Sequence, residues 1–417
     1  MKKIYYTIAA VVLACNLQAQ SYSLSDLESA FLANNYALIA QKFNIQRADA
    51  ELIQEKVWNN PTFSLSEVNL WHNAGSETLP NLFGKYGKHQ QLGIELEQLI
   101  ETAGKRKNRV AIRQLEKGGE LLAYEDLMRE LKKELRQTFN SLAQQQKAAA
   151  QLQTIYESFQ RLHEQYERQS KNNNIAYAEV YRVQAELMAL QKEVVDIDIE
   201  KKELLHTLIA LTQIADLNTA QIVFPEFSNS LSANLPAELL AIGLSSHAGI
   251  KMQQNELAIA QQNLALEKSN SKPDITLQLG YDRGGNIMQD FVGAGISFDI
   301  PVFNRNKAKI KAARFQIEQE NYKLKATSFD LQQNLISLKD QFLTYETTLK
   351  QWDNFRVDDY KLIVENYRKN LQERRVSLIE YVDFIKSFRE LQQLYVALVA
   401  DYLNTYEELK YIVGKDF

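Results

Sequence analysis

Carboxylates and cations gathered near two reversals of the chain are the residues best placed to do chemistry. Glu179, Glu380 and Asp383 lie just past Lys171-Asn172-Asn173-Asn174 and Gln372-Glu373-Arg374-Arg375. Carboxylates repeated around a narrow opening favour cations, and Arg374 and Arg375 could hold such an opening shut through charge-assisted bonds. The same residues also suit a solvated helix face, and both readings stand at this level. A second polar set, Glu95, Glu97, Gln278, Asp282, Ser297 and Asp299, falls at alternate positions between apolar residues. Alternation alone assigns that set to one face of extended strands.

Catalytic chemistry is not indicated. The five histidines (His72, His89, His163, His206 and His247) lack metal-ligand spacing, and no Ser/His/Asp grouping, phosphate loop or zinc motif occurs. No enzyme, cofactor or resident metal is expected. Cys15 is the one cysteine, so no disulfide framework is expected either. With 48 Lys and Arg against 52 Asp and Glu, the net charge is −4, which argues against a nucleic-acid footprint.

Met1-Lys2-Lys3, the apolar run Ile4 to Ala14 and Leu17-Gln18-Ala19 read as a signal peptide over residues 1–19, implying export. A rival reading takes Val12-Leu13-Ala14-Cys15 as a loose lipobox, with Cys15 lipidated. Beyond it no apolar run approaches the roughly 18 residues of a membrane-spanning helix.

The elements that must position the charged residues occur twice. Asn60-Pro61-Thr62-Phe63-Ser64-Leu65 lines up with Lys272-Pro273-Asp274-Ile275-Thr276-Leu277, and Leu92-Gly93-Ile94-Glu95-Leu96-Glu97 with Ala294-Gly295-Ile296-Ser297-Phe298-Asp299. Such internal similarity sets the architecture. Residues 20–214 form a first repeat, with a helix to about Trp58, a strand pair at 61–71 and 89–99, a long helix and a return helix. Residues 215–236 break the pattern with Pro225 and Pro236, and residues 237–417 repeat the plan with strands at 273–283 and 291–301. The helix from Thr102 to Lys171 is proline-free and would extend about 100 Å at about 1.5 Å per residue. Gly118-Gly119 reads as its local weakness. A single helix is expected from Ala237 to Ser269 and another from Lys307 to Leu371.

In the strands Leu92, Ile94, Leu96, Ile275, Leu277, Leu279, Ile296 and Phe298 form the apolar phase, with a bulge expected around Glu67. Strands of about 9 to 11 residues, apolar outward and polar inward, match a transmembrane barrel, so the apolar set is read as facing lipid and the polar set as lining the lumen. Four strands cannot close a barrel, and an open edge in lipid is costly, so several copies must share one. Two copies would give eight strands and a filled lumen; three would give twelve and a channel. The fold class is therefore mainly α with membrane β. An elongated coiled-coil scaffold without a pore would explain the helices, though not the strands.

The duplicated plan, with Asn60-Pro61, Gly104-Lys105-Arg106 after the second strand, and Gly295 to Pro301 followed by Phe303, resembles the TolC-type outer-membrane efflux factors, most of all their CzcC-like heavy-metal branch. The resemblance implies a homotrimer with a transmembrane β-barrel of four strands per chain, a long periplasmic α-helical barrel and an equatorial collar near 215–236. It also implies a periplasmic adaptor and an inner-membrane pump of the resistance-nodulation-division type as partners. The function implied is a passive exit duct of a tripartite efflux pump for small molecules or metal ions, with a type I protein secretion duct as the alternative. The two reversals would then be the periplasmic tips, with Asn174, Ile175, Ala176, Val376, Ser377 and Leu378 meeting the adaptor. Asn174 and Arg375 stand where relatives often carry a small residue or glycine.

Overall fold

The structure is a computed structural model and describes residues 21–66, 68, 78–84, 87, 88, 90–284, 290–352 and 360–417. The signal segment with Cys15, the bulge at Glu67, His72, His89 and the end of the first strand at 69–71 lie outside the described residues. The elements run α1 (Leu24–Asn34), α2 (Tyr36–Glu55), β1 (Thr62–Ser66), β2 (Leu92–Ile100), α3 (Lys105–Lys171), α4 (Tyr177–Thr212), α5 (Leu239–Ser246), α6 (Ala248–Asn270), β3 (Ile275–Arg283), β4 (Asp290–Ser297), α7 (Lys307–Trp352), α8 (Tyr360–Gln372) and α9 (Leu378–Val413). Two compact units result. Of the described residues, one comprises those within 21–40, 124–248, 329–352 and 360–417, the other those within 41–123 and 249–328.

Two helices expected to be continuous are broken. Asn35 leaves the helical region at ψ 120 and separates α1 from α2. Its Oδ1 accepts from the N–H groups of Ala37 and Leu38, and its Nδ2 donates to the Leu211 carbonyl at 3.0 Å. An asparagine side chain that replaces a helical carbonyl in this way ends one helix and caps the next. His247, at ψ 128, makes the corresponding break between α5 and α6. The strands are also shorter than the alternation predicts: β4 ends at Ser297, the partner of Thr276, instead of reaching residue 301. Pro273 lies just before β3 and has no N–H to extend that ladder.

Among its described residues the helical unit holds two large apolar clusters. Leu27, Phe31 and Leu38 pack with Leu135, Phe139 and Leu142 of α3, with Leu208 and Leu211 of α4, and with Leu217 and Ile222 of the mid-chain connection. That connection is tied down by backbone pairing, since Tyr22 N–H donates to the Gln221 carbonyl at 2.7 Å and Val223 N–H to the Tyr22 carbonyl at 2.9 Å. A second cluster joins Ile155, Phe159 and Leu162 of α3, Val183 and Leu190 of α4, Val364 and Leu371 of α8, and Leu378, Tyr381, Ile385 and Phe388 of α9. Tyr381 stacks on Phe159 at 5.5 Å, and Tyr367 on Phe384 at 3.8 Å. The apolar stripes of these helices thus bury one another, as coiled-coil packing requires.

The sheet unit contains an antiparallel sheet in the order β1-β2-β3-β4. In its helical part Lys117 pairs with Asp49 at 2.6 Å, and Gln253 donates to Glu320 at 2.8 Å. Gly118 and Gly119, read from sequence as a weakness, face Asn255. A Cβ at Gly119 would lie 3.1 Å from the Asn255 side chain, whose Nδ2 donates to the Leu115 carbonyl at 3.0 Å. The glycines admit a close helix approach.

Candidate pore-forming sheet and helical tips

Residues directly opposite in an antiparallel sheet share a face, so the register sorts every strand side chain. Phe63, Leu96, Leu279 and Ala294 form one row, and Leu65, Ile94, Tyr281 and Val292 the next. Leu277 pairs with Ile296 and Ile275 with Ile100 on the same face. That face is open, with Leu279 58% and Ile296 67% exposed. Phe298 lies just past the last paired residue of β4 and is also exposed. Leu92 differs from its set: the register places it in a row with Arg283 and Asp290, where the apolar alternation of β3 ends. Arg283 is buried there and donates to the carbonyls of Pro80 and Gly87.

The opposite face gathers the polar set. Glu97 stands opposite Gln278, whose Nε2 donates to the Glu97 carboxylate at 2.8 Å. Glu95 faces Gly280, Asp282 faces Gly93 and Ser297 faces Thr276, while Asp299 lies beyond the paired residues and is exposed. β1 and β4 stand at the two ends of the strand order, so each leaves one edge without a partner strand among the described residues.

The two reversals repeat one backbone design. Asn173 and Arg374 take positive φ values of 58 and 61. Asn174 N–H donates back to the Gln169 carbonyl at 3.0 Å, and Arg375 N–H to the Asn370 carbonyl at 2.9 Å. Both are left-handed helix ends of the Schellman kind. The entries to the return helices then differ. Ser377 caps α9 with a capping box: Glu380 N–H donates to Ser377 Oγ at 3.3 Å, and Ser377 N–H donates to the Glu380 carboxylate at 2.7 Å. The Ser377 backbone and hydroxyl groups together hold the Glu380 carboxyl below its ordinary range. Ala176, at the matching position before α4, has no side-chain cap.

These positions correct part of the expectation for the tips. Leu378 is 6% exposed and belongs to the helical core, so it is no contact surface. Val376 packs against the same core from a half-buried position. Asn174 and Ala176 are exposed, and Ile175 is half-buried. The arginine clamp is not formed within the chain. Arg375 pairs with Glu373 at 2.9 Å, and among the described residues neither arginine reaches Glu179, Glu380 or Asp383. Glu179 and Asp383 are exposed, while Glu380 is engaged in its cap.

Sequence reasoning missed a buried carboxylate. Glu346 of α7, 3% exposed, accepts from Ser232 N–H at 2.9 Å, Ser232 Oγ at 2.6 Å, Tyr402 Oη at 2.8 Å and Lys350 Nζ at 2.5 Å. It fastens the mid-chain connection to α7 and α9. Its partners Ser232 and Tyr402 are distant in the chain, and no local pattern marks it. No described helix is long and apolar enough to cross a membrane, and no group of three or more metal-ligating side chains occurs among the described residues.

No family model matches the chain. Over 134 residues it is 28% identical to the cobalt-zinc-cadmium resistance protein CzcC of Cupriavidus metallidurans, covering 31% of this chain and 32% of that protein. The chain thus spans about a third of the length of the curated relative it matches. Solved structures align over far more. CusC superposes with a TM-score of 0.71 at 16% identity, covering 94% of this chain and 92% of the other. The outer-membrane channel OprN gives 0.75 at 13% identity, with 94% and 90% covered, and the CmeC outer membrane channel of Campylobacter jejuni gives 0.71 at 15%, with 94% and 85% covered. Extensive superposition at such low identity is a statement about fold: the chain has the fold of these solved outer-membrane channels.

Proposed function

We propose that the chain is the outer-membrane exit duct of a tripartite efflux pump, extending from the outer membrane into the periplasm and exporting passively what an inner-membrane pump delivers through a periplasmic adaptor. The carrying observation is the four-stranded sheet, apolar and exposed on one face, polar on the other, with an open edge at each end. In lipid such edges must be paired, and three copies of four strands make a closed barrel of twelve with room for an aqueous channel. On this reading Ile94, Leu96, Leu277, Leu279 and Ile296 face lipid, and Glu95, Glu97, Gln278 and Asp282 face the lumen.

Divalent metal cations are the proposed cargo, on the likeness to a cobalt-zinc-cadmium resistance protein. Glu179 and Asp383, the carboxylates of the tips that no cap engages, are the proposed gate lining, with Asn174, Ile175 and Ala176 as adaptor contacts. Arg374 and Arg375, which reach neither carboxylate within one chain, would act across copies.

Fractionation tests the reading directly. The protein should sediment with the outer membrane and run as a heat-dissociable trimer. A monodisperse monomer with its full strand content in detergent would refute it. In planar bilayers Asp383→Asn should lower cation preference, and replacing Arg374 and Arg375 by alanine should raise conductance; no change in either would remove these residues from the gate.

A further inference from the structure

The two junctions where a hairpin hands over to a long helix carry similar numbers of cations but treat them differently. In the first, Lys105 pairs with Asp274 at 2.8 Å, Arg109 with Glu101 at 2.7 Å and Arg113 with Glu116 at 2.8 Å. Arg106 lies over the Trp58 ring at 3.8 Å without a carboxylate partner, and Lys107 is exposed and makes no ion pair among the described residues. In the second, Arg305, Lys307, Lys309, Lys311 and Arg314 are all exposed, and none makes an ion pair among the described residues. Lys311 Nζ sits 5.7 Å from the centroid of the Phe315 ring, a contact that leaves its charge unmatched. Lys307, Lys311 and Arg314 are spaced i, i+4 and i+7, so they share one face of the first turns of α7. Glu318, one turn further on, forms no ion pair with them, and Asp299 is the nearest acid on the strand side in sequence.

The segment leading into these cations is as apolar as they are charged. Ile300 is 72%, Val302 56% and Phe303 99% exposed, directly before Arg305. Exposed aliphatic and aromatic side chains followed within a few residues by unpaired cations match the boundary between acyl chains and headgroups, where apolar groups enter the lipid and Lys and Arg reach the phosphates. Matched cations such as Lys105, Arg109 and Arg113 gain little from an outside anion, whereas an unmatched set on one helix face gains fully.

We propose that the second junction, Ile300 to Arg314, is a docking surface for the headgroups of anionic phospholipid, with Lys307, Lys311 and Arg314 on the phosphates and Val302 and Phe303 in the adjoining acyl layer. The inference rests on the membrane reading of the sheet. It makes one repeat of the duplicated chain the lipid-selective one.

The test uses the purified full chain reconstituted into phosphatidylcholine nanodiscs with and without phosphatidylglycerol, with lipid retention read by native mass spectrometry. The parent should retain phosphatidylglycerol over phosphatidylcholine, and inorganic phosphate at equal concentration should not displace it. Lys307→Gln, Lys311→Gln and Arg314→Gln together should weaken that retention on the order of a hundredfold at low salt, from about a factor of five per cation. Arg113→Gln, in the matched junction, should leave it unchanged, and circular dichroism should show both variants folded. No preference in the parent, a preference surviving in the triple variant, an equal loss in Arg113→Gln, or displacement by free phosphate would each overturn the proposal while leaving the membrane reading intact. Failure of the parent to enter nanodiscs of either composition would overturn the membrane reading and the proposal with it.

Discussion

The two halves of this chain reproduce each other's backbone and diverge in their side chains. Asn173 and Arg374 hold the same left-handed turn, Gly104 and Asn306 take φ values of 73 and 58 at the entries to the two long helices, and Asn35 and His247 break the two leading helices. Asparagine takes a positive φ readily, but Arg374 takes it against the ordinary preference of an arginine. The conformation is therefore imposed by the helices on either side. What each half does with that backbone differs. The first junction pairs Lys105, Arg109 and Arg113 with carboxylates while the second leaves Lys307, Lys311 and Arg314 without one, the second tip is capped and the first is not, and the second half buries a carboxylate at Glu346. Duplication has kept the geometry while the chemistry has separated.

The largest effect should come where the halves meet in one sheet. Leu96 and Leu279 are direct partners across β2 and β3, as are Glu97 and Gln278 on the other face. Arginine at either leucine should cost about 2 to 4 kcal/mol near the membrane midplane and block trimer assembly on a gel, whereas Gln278→Arg should assemble. Equal tolerance on both faces would end the barrel reading for both halves. A buried network lost in one half comes next. Glu346→Ala leaves the Ser232 N–H and hydroxyl and the Tyr402 hydroxyl without their acceptor, and should lower stability by about 3 kcal/mol in denaturant unfolding.

The caps offer a smaller and more pointed comparison. Ser377→Ala should cost about 1 kcal/mol, and Ala176→Ser, which gives the first tip the cap it lacks, should recover part of that amount in thermal unfolding. If both changes are neutral, the tips are held by the core around Phe159 and Tyr381 alone. The smallest effect is at the end of the second half. Burial opposes ionisation of Asp416, but Lys132 and Arg136 outweigh it and bring its pKa from 3.8 to about 2. A carboxyl with a depressed pKa stabilises the fold above pH ~4 and loses that contribution as pH falls towards ~2. Because the side chain is half exposed, the contribution should stay below about 1 kcal/mol. Asp416→Asn should flatten the fall in stability over that pH range.

Several features were legible without coordinates because they depend on local pattern. Strict alternation in Ile275 to Tyr281 and in Val292 to Ile296 fixes which residues share a face whatever the partner strand is, and the register agrees row by row. The duplicated order of proline, strand and long apolar-periodic helix carried the fold. Where the pattern is interrupted by tertiary contacts, the chain alone was silent. Asn35 breaks a helix because its amide can reach the Leu211 carbonyl, and Leu378 is core because it joins the cluster to which α3, α4 and α8 contribute. Glu380 reads as a free carboxylate until Ser377 is seen to cap with it. Periodicity and length are properties of neighbouring residues and so are written in the sequence. Whether a given charge is paired, capped or left open depends on residues that only folding brings near: the cations at Lys105 and Lys307 look alike in the chain and differ only in what the fold sets beside them.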